Sequence, residues 1–197
     1  AKERFVGNIV ELDCDAFRKY HPDSEMLALV PETYGSLTNP FVFDTVDRLI
    51  DELSEYKFNM IIESSMKTPN SAFQNHELLT PKGYSIEAQI MATSRAVSWQ
   101  GVLNRYQEEL EKGQLPRLVP KEFHDYVADH FPDSAEEIFL SGKMSNIQVY
   151  NRERDLLYDM KSTPTLSPKS IISSIVNQTE NHSESEDEQI KKDDFQI

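Results

Sequence analysis

The 197-residue chain is acidic, with 34 Asp and Glu residues against 20 Lys and Arg residues and a formal net charge of −14. This balance argues against a general nucleic-acid-binding protein, because such proteins carry a basic surface. Hydrophobic residues make up 38% of the sequence, which fits one soluble domain with a core, and no apolar run approaches the roughly 20 residues that span a bilayer. The single cysteine, Cys14, excludes an internal disulfide and favours a reducing compartment, so we expect a cytoplasmic protein.

Strand-like and helix-like segments alternate along the chain. Short apolar runs predict four strands and a short fifth one, at 9–13, 58–63, 84–92, 147–152 and 156–158. Apolar residues at helical spacing predict helices at 39–56, 69–81, 94–112, 120–130 and 134–140, with a last helix starting at 167. Proline and glycine punctuation predicts a loop over residues 23–39. This order is typical of an α/β fold in which helical crossovers join parallel strands.

The two ends of the sequence differ in character from the rest. Residues 179–197 are poor in apolar residues and contain seven acids, namely Glu180, Glu184, Glu186, Asp187, Glu188, Asp193 and Asp194. Because such a segment cannot offset its ordering entropy by burial, we predict an acidic disordered tail at 179–197 and one folded domain at 1–178. The chain begins with Ala1 only a few residues before the first strand, which predicts a fragment or an open reading frame without its start.

Acidic residues follow two of the predicted strands. Asp13 and Asp15 come after the first strand, and Glu63 ends the second. Because ligands of open α/β sheets bind beyond the carboxyl ends of the strands, we expect these acids to meet at one rim. A carboxylate there can accept a proton from a hydroxyl during phosphoryl transfer, or hold Mg²⁺. The alternative is that it caps the following helix, as Asp15 could, and the sequence leaves both possibilities open.

Three cations are candidates for binding phosphate. Arg105 lies near the end of the long helix, Arg117 lies in a loop between two prolines, and Lys67 follows the second strand. Guanidinium groups suit phosphate because their planar fork donates two hydrogen bonds at once. A solvated surface position is the alternative for each of them. The five histidines show no metal-ligand spacing with Cys14, so we expect no zinc site.

Several motifs, in this order and spacing, resemble the zeta toxin family over roughly residues 5–175. The matching segments are Gly7-Asn8-Ile9-Val10, Asp13-x-Asp15-x-Phe17, His21-Pro22, Asn59-x-x-Ile62-Glu63, Arg105-Tyr106-x-Glu108, Pro120-Lys121-x-x-His124-Asp125, Val149-Tyr150-Asn151-Arg152-Glu153 and Thr163-Pro164-x-x-Ser167-Pro168-Lys169. The resemblance implies a P-loop-kinase-like fold, with a parallel sheet and flanking helices. It also implies phosphorylation of the amino-sugar hydroxyl of UDP-N-acetylglucosamine, which blocks cell-wall synthesis. ATP and Mg²⁺ would then be the cofactors, and a small helical epsilon-type antitoxin would be a partner.

The same resemblance implies roles for individual residues. Asp15 would be the general base on the sugar hydroxyl, and Arg105 and Arg117 would clamp the transferring phosphoryl group. The implied substrate-binding positions are Asp47, Glu63, Ser65 and Lys67.

The sequence also departs from the family pattern. The glycine-rich phosphate loop with its Walker A lysine is absent, as is the strand before it, so ATP loses its backbone N–H cradle and its main cation. Ser64-Ser65 replaces Gly-Thr, Lys67 replaces an arginine, and Arg117-Leu118-Val119-Pro120 replaces Arg-Ala-Thr-Pro. We therefore expect the chain as it stands to be poorly stable and catalytically inactive. Two alternatives are a non-catalytic remnant that binds a nucleotide sugar or an antitoxin, and a P-loop kinase of a different small molecule.

Overall fold

The computed structural model of the protein describes Phe5, residues 7–114 and residues 116–178. Its strands and longer helices are β1 (Val10–Leu12), α1 (Cys14–Phe17), α2 (Ser24–Leu27), α3 (Pro31–Glu55), β2 (Met60–Ile62), α4 (Asn70–Leu79), β3 (Glu87–Met91), α5 (Arg95–Glu111), α6 (Lys121–Leu140), β4 (Asn146–Tyr150), β5 (Leu156–Asp159) and α7 (Lys169–Val176). Short 3₁₀ helices follow α1 at Arg18–Tyr20 and α4 at Thr80–Lys82. The predicted tail at 179–197 lies outside the described residues, and the domain boundary at 178 stays a prediction.

The strands form two sheets. β1 and β2 pair in parallel, with Val10 opposite Met60, and β3 and β4 pair in parallel, with Ile90 opposite Val149. The predicted α/β class with parallel strands and flanking helices is therefore confirmed. β5 runs antiparallel to β4, because the connection at 151–155 is shorter than the dozen or so residues that a parallel crossover needs.

Two apolar cores hold the helices on these sheets. One lies between β1, α3 and α4 and is made by Leu12, Val46, Ile50 and Leu79. The other lies around β3, β4, α6 and α7 and is made by Ile90, Ala92, Ala135, Ile138, Met144, Ile147, Val149, Tyr158, Ile172 and Val176. The first core fixes α1 and α3 at the carboxyl end of β1, which is the end where the candidate acids lie.

Helix α3 is longer than the sequence predicted. The predicted loop over 23–39 is wrong for residues 24–27, which form α2, and for residues 31–39, which are helical and continue through Pro40. Pro31 suits the first turn of the helix, where no N–H partner is lost, but Pro40 removes an internal hydrogen bond. Tyr34 and Thr38 are buried and continue the four-residue repeat of the apolar face. Packing of this face therefore outweighs the local cost of Pro40.

Helix α6 is also continuous. Two helices were predicted, at 120–130 and 134–140, with a break near Pro132, whereas one helix spans Lys121–Leu140. Pro132 is buried, and Ala135 and Ile138 pack into the larger core one turn later. Burial of this face on both sides of Pro132 keeps the two halves in one helix. Within the described ranges no helix is both long and apolar enough to cross a membrane.

Shortening a buried side chain of the larger core should lower the stability of the protein measurably. Ile147→Ala removes a side chain that is 0% exposed, so we expect the free energy of unfolding to fall by about 2–5 kcal/mol in urea titrations followed by circular dichroism. Leu140→Ala is the matched control, because Leu140 is 72% exposed and its loss is expected to change the same free energy by less than about 0.5 kcal/mol. Equal losses in the two variants would contradict this core.

Candidate active site

The chain passes from β1 into α1 at Asp13. The backbone of Asp13 is extended, and its Oδ1 accepts a hydrogen bond from the backbone N–H of Asp15 at 2.8 Å. Asp13 is thus the N-cap of α1, which is the preferred place for a short acidic side chain. The capping alternative therefore applies to Asp13, and the carboxylate of Asp15 is left for other contacts.

Both carboxylate oxygens of Asp15 are held by arginines. Arg18 Nε donates to Oδ1 at 2.7 Å, and Arg117 Nη2 donates to Oδ2 at 2.8 Å. Arg18 is buried, and its Nη1 also donates to the carbonyl oxygen of Gly35 at 3.0 Å and to Thr38 Oγ1 at 2.6 Å. Helix α3 therefore fixes Arg18, and Arg18 fixes one side of the Asp15 carboxylate.

Arg117 reaches Asp15 from a segment that lies against the start of α3. The N–H of Leu118 donates to the carbonyl oxygen of Pro31 at 3.3 Å. The stem of Arg117 lies on Gly35 so closely that a Cβ added to Gly35 would be 2.7 Å from Arg117 Cδ. Arg117 Nε is buried and has no hydrogen-bond partner within the described ranges. The absence of a side chain at Gly35 is thus what lets Arg117 approach the carboxylate.

These charges set the protonation state of Asp15. Burial alone raises the pKa of Asp15, but the charge of Arg117, the hydrogen bond from Arg18 and the charge of Arg105 outweigh burial and hold this pKa below its usual range. Burial lowers the pKa of Arg117, and the charges of Arg18 and Arg105 lower it further against the opposing charge of Asp15. A guanidinium group stays protonated despite such a shift. Asp15 is therefore a carboxylate at neutral pH, flanked by permanent positive charge.

Glu63 lies at the same edge of the sheet. Its backbone N–H donates to the carbonyl oxygen of Leu12 at 3.1 Å, which continues the pairing of β1 with β2. Burial raises the pKa of Glu63, and the charges of Asp13, Glu11 and Asp15 raise it further. The structure thus brings Asp13, Asp15 and Glu63 close enough together to repel one another.

Asp47 approaches this cluster from α3. It lies on the exposed side of the helix, and its negative charge contributes to raising the pKa of Cys14. Burial raises the pKa of the Cys14 thiol, and the charges of Asp15, Asp13 and Asp47 raise it further against Arg18. Asp47 therefore faces the junction of β1 and α1 without a direct hydrogen bond to Asp15.

Ser65 and Lys67 lie in the exposed segment that follows β2. Ser64 Oγ accepts the backbone N–H of Met66 at 3.1 Å, and Met66 has a positive φ of 50°. The chain turns sharply there, and Lys67 Nζ lies 5.3 Å from the centroid of the Phe123 ring on α6. The structure therefore directs Lys67 towards α6, and no hydrogen bond joins it to Asp15 or Glu63.

Arg105 lines a cleft whose lining residues include none of Asp13, Asp15, Glu63 and Arg117. The cleft has a volume of about 1200 Å³, and four of its lining residues are cations, namely Arg95, Arg105, Lys121 and Arg152. Arg95 pairs with Asp125 and Asp129, and Lys121 pairs with Asp125. Arg105 and Arg152, in contrast, have no hydrogen bond or salt bridge to any residue that the structure describes. The cleft therefore offers two uncompensated guanidinium groups, and the charge of one of them is felt at Asp15.

The sequence did not single out Arg18, Gly35 or Thr38. Arg18 lies three residues after Asp15, a spacing at which oppositely charged side chains meet on a helix. This spacing alone could have predicted the ion pair. The contacts of Arg18 with Gly35 and Thr38 depend on how α3 packs on α1, which the spacing does not predict.

Comparison with known proteins identifies the family. The family model described as zeta toxin matches residues 1–163. The chain belongs to the zeta toxin family. Toxin PezT of Streptococcus pneumoniae serotype 4 is 32% identical over 169 residues, which are 83% of this chain and 66% of that protein. Toxin zeta of Streptococcus pyogenes is 29% identical over 177 residues, which are 89% of this chain and 62% of that protein.

A solved structure agrees with this assignment. A chain from the PezAT chromosomal toxin–antitoxin system of Streptococcus pneumoniae superposes with a TM-score of 0.77 at 26% sequence identity, covering 98% of this chain and 76% of that chain. The predicted family resemblance and the predicted fold are therefore confirmed. This zeta-family chain spans roughly 62–66% of the length of the two curated relatives named above.

The lowered pKa of Asp15 predicts how stability depends on pH. Because the folded-state pKa lies below the unfolded one, the stabilisation that Asp15 provides is present above the unfolded value of about 3.9 and is lost as the pH falls through the folded value. We expect Asp15→Asn to lower the free energy of unfolding at pH 7, and the difference from the wild type to shrink below about pH 4.

The measurement is a set of urea titrations between pH 3 and pH 8. Asp44→Asn is the matched control, because Asp44 pairs with Arg48 on the exposed side of α3 at 3.5 Å and such surface pairs contribute little. A difference between Asp15→Asn and the wild type that stays constant down to pH 3 would contradict the role of the Asp15 carboxylate.

Proposed function

We propose that this zeta-family chain carries the acceptor and phosphate sites of an ATP-dependent kinase of the toxin–antitoxin kind. The single observation that supports the proposal best is Asp15, a carboxylate held by two arginines at the carboxyl end of β1 and within the field of Arg105 from the cation-lined cleft. The proposed reaction transfers the γ-phosphoryl group of ATP to the amino-sugar hydroxyl of UDP-N-acetylglucosamine, which would block cell-wall synthesis. Relatives named as toxins, and a neighbour from a toxin–antitoxin system, support the same direction.

Asp15 orients the acceptor hydroxyl in this proposal. An anionic carboxylate accepts the hydroxyl proton as the phosphoryl group is transferred, and phosphoryl transfer has a loose transition state that asks for positioning more than for a strong base. A carboxylate with a lowered pKa suits that task, because it is fully ionised at neutral pH. Arg18 is the positioning residue, since it holds Asp15 Oδ1 without reaching the cleft itself.

Arg105 and Arg117 neutralise the charge of the transferring group. Arg105 lines the cleft and has no hydrogen bond or salt bridge within the described ranges, so its guanidinium group can bind phosphate oxygens, whereas Arg117 contributes its positive charge from its position against Asp15. A cleft of about 1200 Å³ has room for a nucleotide. ATP, when bound, supplies the phosphoryl group, and Arg152 is the further unpaired cation available to its phosphates.

Mg²⁺ is proposed to arrive with ATP. No three His, Cys, Asp or Glu side chains of the described residues are grouped so that they could hold a metal ion. Mg²⁺ at kinase sites is bound by one or two carboxylates together with substrate phosphates, so a full protein cage is not required. Asp13 is the carboxylate we propose for this role, since only its Oδ1 is used by the helix cap.

The acceptor sugar would lie over the acidic half of the site. Glu63 is exposed at the carboxyl end of β2, so its carboxylate can accept hydrogen bonds from sugar hydroxyls, and Ser65 and Asp47 are the other residues that we propose for the sugar. An epsilon-type antitoxin that covers the ATP site is the proposed protein partner. The position of Lys67 over Phe123 favours a second candidate, a kinase for a different small acceptor, because this cation is turned away from Glu63.

An enzyme assay tests the proposed function. ATP consumption with UDP-N-acetylglucosamine is compared between this 197-residue chain and an extended version, in which the phosphate-binding loop of a zeta-family relative precedes it. We expect turnover only in the extended version, because the sequence lacks the lysine and N–H cradle of that loop. Asp15→Asn in the extended version should lower kcat by at least about 10²-fold, because the hydroxyl loses its proton acceptor.

The controls distinguish an error in the proposed acceptor from an error in the proposed kinase activity. Asp44→Asn removes an exposed carboxylate from α3 and should leave kcat unchanged. Turnover with another sugar nucleotide but not with UDP-N-acetylglucosamine would favour the second candidate. A folded extended version without turnover on any acceptor would overturn the kinase proposal and favour a binding remnant.

Gly35→Ala tests the contact between Gly35 and Arg117. The added Cβ would lie 2.7 Å from Arg117 Cδ and displace that side chain from Asp15, so we expect kcat of the extended version to fall by roughly 10-fold or more. The same displacement should lower the free energy of unfolding by about 1–3 kcal/mol, of which the higher helix propensity of alanine offsets up to about 1 kcal/mol. A variant with full activity would show that the contact between Gly35 and Arg117 is not needed. Thermal unfolding of the same samples provides the second measurement.

A further inference from the structure

The described chain ends on the wall of the cation-lined cleft. Val176, Asn177 and Gln178 line this cleft together with Arg105 and Arg152. The segment 179–197 is therefore joined directly to a residue of the cleft lining. An extended chain covers at most about 3.5 Å per residue, so Glu184 can lie up to roughly 20 Å from Gln178.

The charges of the two surfaces are complementary. The segment 179–197 has seven acidic residues and two lysines, Lys191 and Lys192, so its net charge is −5 (2 − 7). Four of the acids fall within 184–188. On the cleft side, Arg105 and Arg152 have no salt-bridge partner among the described residues, and Glu108, the acid on the same wall, is paired with Lys112.

We infer that the acidic segment 184–188 binds in cis to Arg105 and Arg152 and competes there with phosphate groups. The competition rests on the proposed function, whereas the contact itself does not. A segment tethered at Gln178 is present at an effective concentration in the millimolar range, which is enough to occupy a site of weak intrinsic affinity. Carboxylates and phosphates are both bound by guanidinium forks, so one anion excludes the other.

The contact must weaken as salt is added. Charges at the protein surface are screened over about 8 Å at physiological ionic strength and over about 3 Å at 1 M salt. The inferred contact should therefore weaken when a stronger polyanion binds in the cleft or when ionic strength rises. The inferred contact needs no apolar packing, because it rests on the attraction between the acids of 184–188 and the positive charges of Arg105 and Arg152.

Trp99 provides a direct reporter of the cleft. It is the only tryptophan of the chain and lines the cleft, and Lys121 Nζ lies 5.3 Å from its ring centroid. Inorganic tripolyphosphate serves as the probe, titrated into the full chain while Trp99 fluorescence is followed. The test variant neutralises four acids of the segment: Glu184→Gln, Glu186→Gln, Asp187→Asn and Glu188→Gln.

The matched control makes the same change in net charge elsewhere. It carries Glu25→Gln, Asp44→Asn, Glu52→Gln and Glu137→Gln, four exposed positions of α2, α3 and α6. At 50 mM salt we expect the segment variant to bind tripolyphosphate roughly tenfold more tightly than the wild type, and the control variant to bind as the wild type does. The difference should vanish at 0.5 M salt. Equal affinities of the segment and control variants at 50 mM salt would overturn the inference.

Two further measurements separate this inference from the proposed function. A synthetic peptide of residues 179–197 should change Trp99 fluorescence of the segment variant, and Arg152→Gln in that variant should weaken the effect several-fold. A peptide response without any tripolyphosphate binding supports the contact and counts against the phosphate site. Tripolyphosphate binding without a peptide response supports the phosphate site and overturns the contact.

Discussion

The rest of the site depends on the pairing of Asp15 with two arginines, in which Arg18 binds one carboxylate oxygen and Arg117 binds the other. It joins three parts of the chain that are distant in sequence: the end of β1, the first turns of α3, and the segment 116–120. Arg18 is buried, so it needs both the Asp15 carboxylate and the carbonyl oxygen of Gly35 to balance its charge. Removing Asp15 would leave the buried charge of Arg18 without its carboxylate partner, which is costly.

This pairing of Asp15 with Arg18 and Arg117 also separates an acidic side of the site from a basic side. On one side lie Asp13 and Glu63, where mutual repulsion adds to burial in raising the pKa of Glu63. On the other side lie Arg117 and Arg105, whose charges lower the pKa of Asp15. Asp15 stands at the boundary, where the neutral sugar of the proposed acceptor can approach from the acidic side and an anionic phosphate donor from the cationic side. The polarity of the site thus matches the direction of the proposed transfer.

Sequence reasoning predicted the elements and the acids better than the contacts between them. Parallel topology alone placed Asp15 and Glu63 at one edge, because every parallel strand ends on the same side. Arg18 was missed because its role depends on a carbonyl of α3 that lies 17 residues further along the chain. The helical course through Pro40 was missed for a related reason: local propensity argues for a break, and only the burial of residues on both sides of Pro40 outweighs it.

Arg105 connects the cleft to the chemistry at Asp15. Its charge lowers the pKa of Asp15, yet its guanidinium group has no salt-bridge partner within the described ranges, so its field depends on what occupies the cleft. Arg105 contributes least of the three arginines, so an anion bound to it leaves the pKa of Asp15 held low by Arg117 and Arg18. In the proposed kinase, Asp15 would therefore stay a carboxylate whether or not donor phosphate occupies the cleft. An acidic segment of the same chain bound at Arg105 would leave Asp15 a carboxylate too while excluding the donor, so it would inhibit by occupancy and not by altering the base.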